Sequence, residues 1–257
     1  MWEKELDTVR LAAQEAGDII NSLYGRVDVI KKKGDIDLVT EADLQAESKI
    51  VEVITRAFPQ DSLVTEEAGH YDHHSKRIWL IDPLDGTTNF THAFPFFGIS
   101  IALEIEKRVV VGAVYDPLRD EYFCAAEGTG AFLNGNRIKV STIGKLEDSL
   151  LATGFPYEVY NDAHELTKRF EKMLTLTQGV RRPGSAALDL CYVAAGRVDG
   201  YWEERLFPWD TAAGSIIVKE AGGQVTDYTG KTYTPYSRTI LATNGLIHAE
   251  MMEALKI

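Results

Sequence analysis

The chain has 257 residues, 45% of them hydrophobic and 26% charged, which is enough apolar material for a packed core and too much for a disordered or fibrous chain. Its formal charge of −12 excludes a general nucleic-acid surface or an anionic-membrane surface, since either needs clustered Lys and Arg. Two cysteines among apolar neighbours (Cys124, Cys191), no basic-then-apolar leader and no run of about 18 apolar residues predict a cytoplasmic protein with free thiols and no membrane span.

Leu6, Val9, Ala13, Ala16, Ile20 and Leu23 recur at spacings of three and four, so the chain opens with an amphipathic helix that closes near Gly25. Residues 29–39 are β-branched and extended, with a turn at Gly34-Asp35; the basic run Lys31-Lys32-Lys33 reads as a solvated part of it. Thr40-Glu41-Ala42-Asp43 has the form of a capping box, and Ala46, Ile50, Val53 and Ala57 continue one helical face over about 41–58. Short strands follow at Ser62–Thr65 and Ile78–Ile81, each ending in carboxylates. From Gly98 the texture becomes an antiparallel meander, 98–105, 109–115 across the tight Glu106-Lys107-Arg108 link, and 121–126, with Asn134-Gly135 as a further hairpin turn before 137–140.

Beyond residue 141 helices and strands alternate: a strand at 150–153, helices at 163–176 and 185–195, a strand at 199–203, and a helix at 211–221 stopped by Gly222-Gly223. The change of texture predicts an N-terminal α+β subdomain, 1–140, packed closely on a C-terminal α/β subdomain, 141–257.

The stretch Ile78-Trp79-Leu80-Ile81-Asp82-Pro83-Leu84-Asp85-Gly86-Thr87 carries the chemistry. An apolar strand ends in two carboxylates that a turn can aim at one point, with the Leu84 carbonyl exposed between them. Paired carboxylates repel and raise one pKa unless a cation lies between them, and oxygen-only ligands suit Mg²⁺ or Ca²⁺ rather than zinc. Gly86 permits close backbone approach, and the segment from Thr87 can open a helix whose N–H groups face a phosphate. His70, His73 and His74 lie between Glu66 and this strand, but their spacing is poor for zinc and they read as a solvated loop over the site.

Glu66 lies sixteen residues before Asp82, and far downstream stand Trp209-Asp210-Thr211-Ala212-Ala213-Gly214 and Glu220-Ala221-Gly222-Gly223. Together these motifs resemble the inositol monophosphatase family, lithium-sensitive and Mg²⁺-dependent phosphatases, over nearly the whole chain, and its bacterial branch at Thr153-Gly154-Phe155-Pro156-Tyr157. The resemblance implies an αβαβα five-layer sandwich and a homodimer. It implies two Mg²⁺ per site, with a third in some relatives: Glu66, Asp82 and the Leu84 carbonyl for the first ion, and Asp82, Asp85 and Asp210 for the second, with Asp82 bridging.

The same resemblance gives Asp43, Thr87 and Glu66 roles in activating water, although the capping box by itself accounts for Asp43, and an N-cap by itself would account for Asp210. It assigns Gly86, Thr87, Gly184, Ser185, Ala186, Glu203 and Asp210 to the substrate, and Arg181 or Arg182 is a candidate for a second phosphate. The implied reaction is hydrolysis of a small sugar or polyol phosphate, myo-inositol 1-phosphate first, without a covalent intermediate. Fructose-1,6-bisphosphatase or dual-specificity activity is the alternative. A bisphosphate nucleotidase fits less well because the gap from Glu66 to Asp82 is short. A regulatory partner-binding protein that keeps the fold is the alternative of another class.

Overall fold

The computed structural model describes residues 2–26, 29–32, 38–156 and 159–256. In chain order it contains α1 (Glu3–Leu23), β1 (Val29–Lys32), β2 (Leu38–Thr40), α2 (Glu41–Ala57), β3 (Ser62–Thr65), β4 (Gly69–Tyr71), β5 (Arg77–Asp85) and α3 (Thr87–Thr91). The meander follows as β6 (Gly98–Ile105), β7 (Arg108–Asp116), β8 (Glu121–Ala126), β9 (Gly130–Leu133) and β10 (Asn136–Ile138). The remainder is β11 (Leu150–Thr153), α4 (Val159–Leu176), β12 (Gly179–Arg181), α5 (Ala186–Ala194), β13 (Gly200–Glu204), α6 (Pro208–Glu220), β14 (Gln224–Thr226), β15 (Thr239–Thr243) and α7 (His248–Leu255). The expected Gly34-Asp35 turn, Lys33 and Tyr157 lie outside the described residues.

These elements stack as αβαβα. An eight-stranded sheet, order β10-β9-β8-β7-β6-β5-β3-β4, carries α1 and α2 on one face and α5 and α6 on the other. A five-stranded sheet, order β12-β11-β13-β15-β14, packs its inner face on α5 and α6, while α4 and α7 pair on its outer side. The alternation of β5 and β6 feeds two cores. Trp79, Ile81, Ile99, Ile101 and Leu103 point to α1 and α2, whereas Leu80, Ala102 and the residues of α5 and α6 form the central layer. The inner helices are apolar nearly all round, as helices between two sheets must be.

Three sequence expectations change. The strand expected to stop at Asp82 runs on to Asp85, because β5 takes up an extra residue against β6: Asp82 pairs with Ser100 and Asp85 with Gly98. Pro83, which has no N–H for a ladder, sits within this bulge. The last inner helix starts at Pro208, so Asp210 is its third residue rather than its N-cap. The segment with His70, His73 and His74 is exposed, and its first part forms edge strand β4 on β3.

Two hairpins show how the sheet overrides local preference. Asn134-Gly135 makes the turn its sequence announces, both residues at positive φ (48° and 78°). Glu106-Lys107 adopts the same geometry (50° and 65°) without the residues that favour it, because the flanking strands β6 and β7 impose it.

Candidate active site

Parallel pairing of β3 and β5 sets Thr65 beside Ile81, so the residues that follow them, Glu66 just past β3 and Asp82 still within β5, arrive at one end of the sheet together. The bulge then keeps Asp85 on the face of Asp82. Ser100 and Gly98 are two apart on β6 and share a face, so their partners do as well. That face looks toward α6, where the Ser100 hydroxyl donates to the Trp209 carbonyl at 2.7 Å and holds the start of α6, with Asp210, against the sheet.

Each carboxylate is pinned by short local bonds. Asp82 Oδ1 accepts from Leu84 N at 2.9 Å, and Asp210 Oδ2 accepts from Phe207 N at 2.7 Å. Asp85 Oδ2 accepts from Ser185 Oγ and from Ala187 N, each at 2.7 Å, so it caps α5, where negative charge meets the positive end of the helix. The Ala187 amide at the start of α5 is thus drawn to Asp85, while Gly184, Ser185 and Ala186, the residues assigned to the substrate, line the cleft.

Thr87 Oγ1 stands 2.9 Å from Asp43 Oδ1 and 3.0 Å from the Leu84 carbonyl, and its single proton serves one of them at a time. Asp43 Oδ2 accepts from Thr40 N at 2.8 Å and from the Thr40 hydroxyl. The capping role of Asp43 and its contact with the site residue Thr87 therefore coexist, one on each oxygen. Gly86 joins β5 to α3 at φ 100°, where a Cβ would lie 3.1 Å from the Phe96 carbonyl and 3.2 Å from that of Gly184.

A cleft of about 360 Å³ gathers Glu66, Asp82, Leu84, Asp85, Gly86, Thr87, Gly184, Ser185, Ala186, Glu203, Asp210 and Arg182. Asp43 lies behind it and reaches it through Thr87. Arg181 turns instead toward the Val180 carbonyl. Glu203 packs on Gly154, where a Cβ would come within 2.1 Å of Oε2, and it accepts from the Tyr201 hydroxyl. Burial pushes its carboxyl up to about 7, against the pull of that hydroxyl and of Arg182.

Sequence reasoning missed several residues. Asn89 Nδ2 donates to the carbonyls of Phe96 at 2.7 Å and Pro183 at 2.9 Å, tying α3 to the loop before α5. Arg205, Leu206 and Phe207 line the mouth of the cleft, and Phe207 stacks on Trp209 with ring centroids 5.0 Å apart. The short segment between Glu203 and Asp210 was the only signal for them. Asp189, 1% exposed on α5, has no hydrogen bond to either oxygen among the described residues.

The electrostatics are one-sided. Burial first, then Glu66, Asp85 and Asp210, hold the Asp82 carboxyl well above the usual range. Burial likewise lifts Asp85 to about 6 and raises Asp210, with Asp85 and Glu66 adding to the latter. Asp82, Asp85 and Asp210 make no ion pair among the described residues. No three acidic, His or Cys side chains among those residues close around one point as they stand, as expected of like charges held apart on separate backbone tethers. The donor set is nonetheless all oxygen, pre-anchored and short of positive charge, which fits hard divalent cations.

The model of the inositol monophosphatase family matches residues 2–257, and the chain belongs to that family. It is 48% identical to an inositol-1-monophosphatase of Synechocystis over 252 residues, 97% of this chain and 88% of the other. It is 44% identical to the Nus factor SuhB of Salmonella typhimurium over 248 residues, 95% of this chain and 93% of that protein. The crystal structure of the extragenic suppressor protein suhB from Bartonella henselae superposes with a TM-score of 0.92 at 40% identity, covering 98% of each chain.

Proposed function

We propose that this phosphatase hydrolyses the phosphate ester of a small polyol or sugar, myo-inositol 1-phosphate in the first instance, using two Mg²⁺ held by Glu66, Asp82, the Leu84 carbonyl, Asp85 and Asp210. The observation that carries the reading is the group of acids delivered to one cleft by two parallel strand ends and α6, with no ion pair to Asp82, Asp85 or Asp210 among the described residues. When bound, the cations supply positive charge to the transferring phosphoryl group and the leaving oxygen. A third ion beside Glu66 belongs to the same proposal.

The residues of the chain do the rest. Thr87, within reach of Asp43 Oδ1, orients the attacking water and passes its proton toward that carboxyl. Glu203, aimed by Tyr201, and Arg182 hold the hydroxyl-bearing part of the substrate, and the backbone at Gly184–Ala186 closes that wall. Residues 1–140 then carry most of the metal ligands and residues 141–257 the substrate wall, in a cytoplasmic homodimer, an assembly that light scattering checks. Glu203→Gln is expected to change substrate preference more than Mg²⁺ dependence.

The test is phosphate release from inositol 1-phosphate, fructose 1,6-bisphosphate and adenosine 3′,5′-bisphosphate, with and without Mg²⁺. Preference for the bisphosphate sugar would move the assignment to fructose-1,6-bisphosphatase, with Arg182 as the second-phosphate contact. Release from none would sink the hydrolase reading. A second reading, a regulatory partner-binding role, is favoured by the relatives named Nus factor SuhB. It predicts a cellular role that survives in an inactive Asp82→Asn protein.

A further inference from the structure

The turn that carries Glu66 is not held by its own strand alone. Glu66 N donates to the Ile81 carbonyl at 3.2 Å, but the next two amides leave the sheet. Glu67 N donates to Glu47 Oε2 at 2.9 Å and Ala68 N to Glu47 Oε1 at 2.8 Å, so a single carboxylate takes both N–H groups. Glu47 is 4% exposed and lies on α2 four residues after Asp43, one helical turn along the same face. The buried face of one helix therefore reaches the cleft at two points: Asp43 through Thr87, and Glu47 through the Glu66 turn.

We propose that Glu47 is a positioning residue that fixes Glu66 and thereby sets the affinity of the site for divalent cation, while Asp43 acts on turnover. This rests on Glu66 being a metal ligand. A charged acceptor shared by two backbone amides gives a short, stiff connection. Glutamine at the same place keeps one acceptor but turns an N–H₂ toward the other amide, so one side of the turn is released. Aspartate keeps the charge and withdraws it from both amides.

The experiment compares wild type, Glu47→Gln, Glu47→Asp, Asp43→Asn and Glu66→Gln by Mg²⁺ calorimetry on the full chain without substrate, and by turnover across a Mg²⁺ titration. Glu47→Gln should bind Mg²⁺ about tenfold more weakly, as is common when a ligand loses its orienting partner. Its turnover at saturating Mg²⁺ should stay within about twofold of wild type, so the loss appears only at low Mg²⁺. Asp43→Asn should do the reverse, losing turnover with Mg²⁺ affinity intact. Unchanged Mg²⁺ affinity in Glu47→Gln, or a fall in turnover that excess Mg²⁺ does not restore, overturns the proposal. Should that variant not fold, Glu47→Asp carries the same two readouts. Unchanged affinity in Glu66→Gln would refute the metal role of Glu66 itself, a failure distinct from that of Glu47.

Discussion

The two ends of strand β5 hold buried acids in opposite circumstances. At its start, Arg77 Nε donates to both oxygens of Asp61, at 3.1 and 2.9 Å, Arg77 Nη2 reaches Glu5 at 3.0 Å, and Trp79 Nε1 donates to Asp61 Oδ2 at 3.0 Å. Charge there is answered by charge and every partner lies within the fold. Toward its other end, Asp82 and Asp85 have backbone and hydroxyl donors for neighbours and other acids beyond them. The same strand thus uses carboxylates to close the structure at one end and leaves them short of counter-charge at the other. A deficit of positive charge inside a cleft is the mark of a place reserved for a ligand.

Substitutions break this contrast in order of size. Asp82→Asn should lower turnover by on the order of 10³-fold or more, while the protein melts higher than wild type in chelator because a repelling charge is gone. Near-normal phosphate release would refute the two-cation site. Mg²⁺ at a hundred times its dissociation constant should stabilise wild type by about 2.7 kcal/mol, read as a rise in melting temperature. Most of that rise should vanish in Asp82→Asn; a full rise there would place the ion elsewhere.

Asp61→Asn, at the closed end, should cost about 2 kcal/mol, less than a fully buried pair because Arg77 keeps some solvent. Turnover per folded molecule should stay at the wild-type level, and loss of turnover at constant stability would join the two ends functionally. The smallest effect is expected at Asp189, whose carboxyl is raised by burial first, then by Glu203 and Asp85. An acid with a raised folded-state pKa erodes stability as pH climbs from its unfolded pKa toward the folded one. Asp189→Asn should therefore gain on wild type as pH rises above the ordinary carboxylate range, by roughly 3 °C of melting temperature. A lower melting temperature for the variant throughout that rise in pH would show that the carboxyl has a partner.

The site was more legible than its supports. Asp82, Leu84 and Asp85 stand out through the company they keep, since an acid pair after an apolar strand is by itself a weak signal and the motifs around Glu66 and Asp210 are the specific ones. Glu47 could not be seen. A glutamate within an amphipathic helix looks like any solvated one until the turn at Glu67 and Ala68 folds over it. Asp210 was misplaced by three positions although Pro208 marks a helix start. In the last fifty residues β14, β15 and α7 are three, five and eight residues long, too short for periodicity to separate strand from helix. The hairpin at Glu106-Lys107 takes its shape from the strands around it, which no local signal reports.

The extra residue between Asp82 and Asp85 amounts to a rule of parity. In an unbroken strand residues three apart point to opposite faces, so the two acids would be divided between the α1/α2 core and the cleft. The bulge shifts the count from odd to even. The arrangement therefore rests on the bulge: straightening β5 with all its residues in place would send one carboxylate into the apolar layer of Ile81 and Ile99, whereas deletion of Pro83 would leave the acids two apart on one face of a regular strand. The strand sets where the acids stand, and the count of residues between them decides whether they stand together.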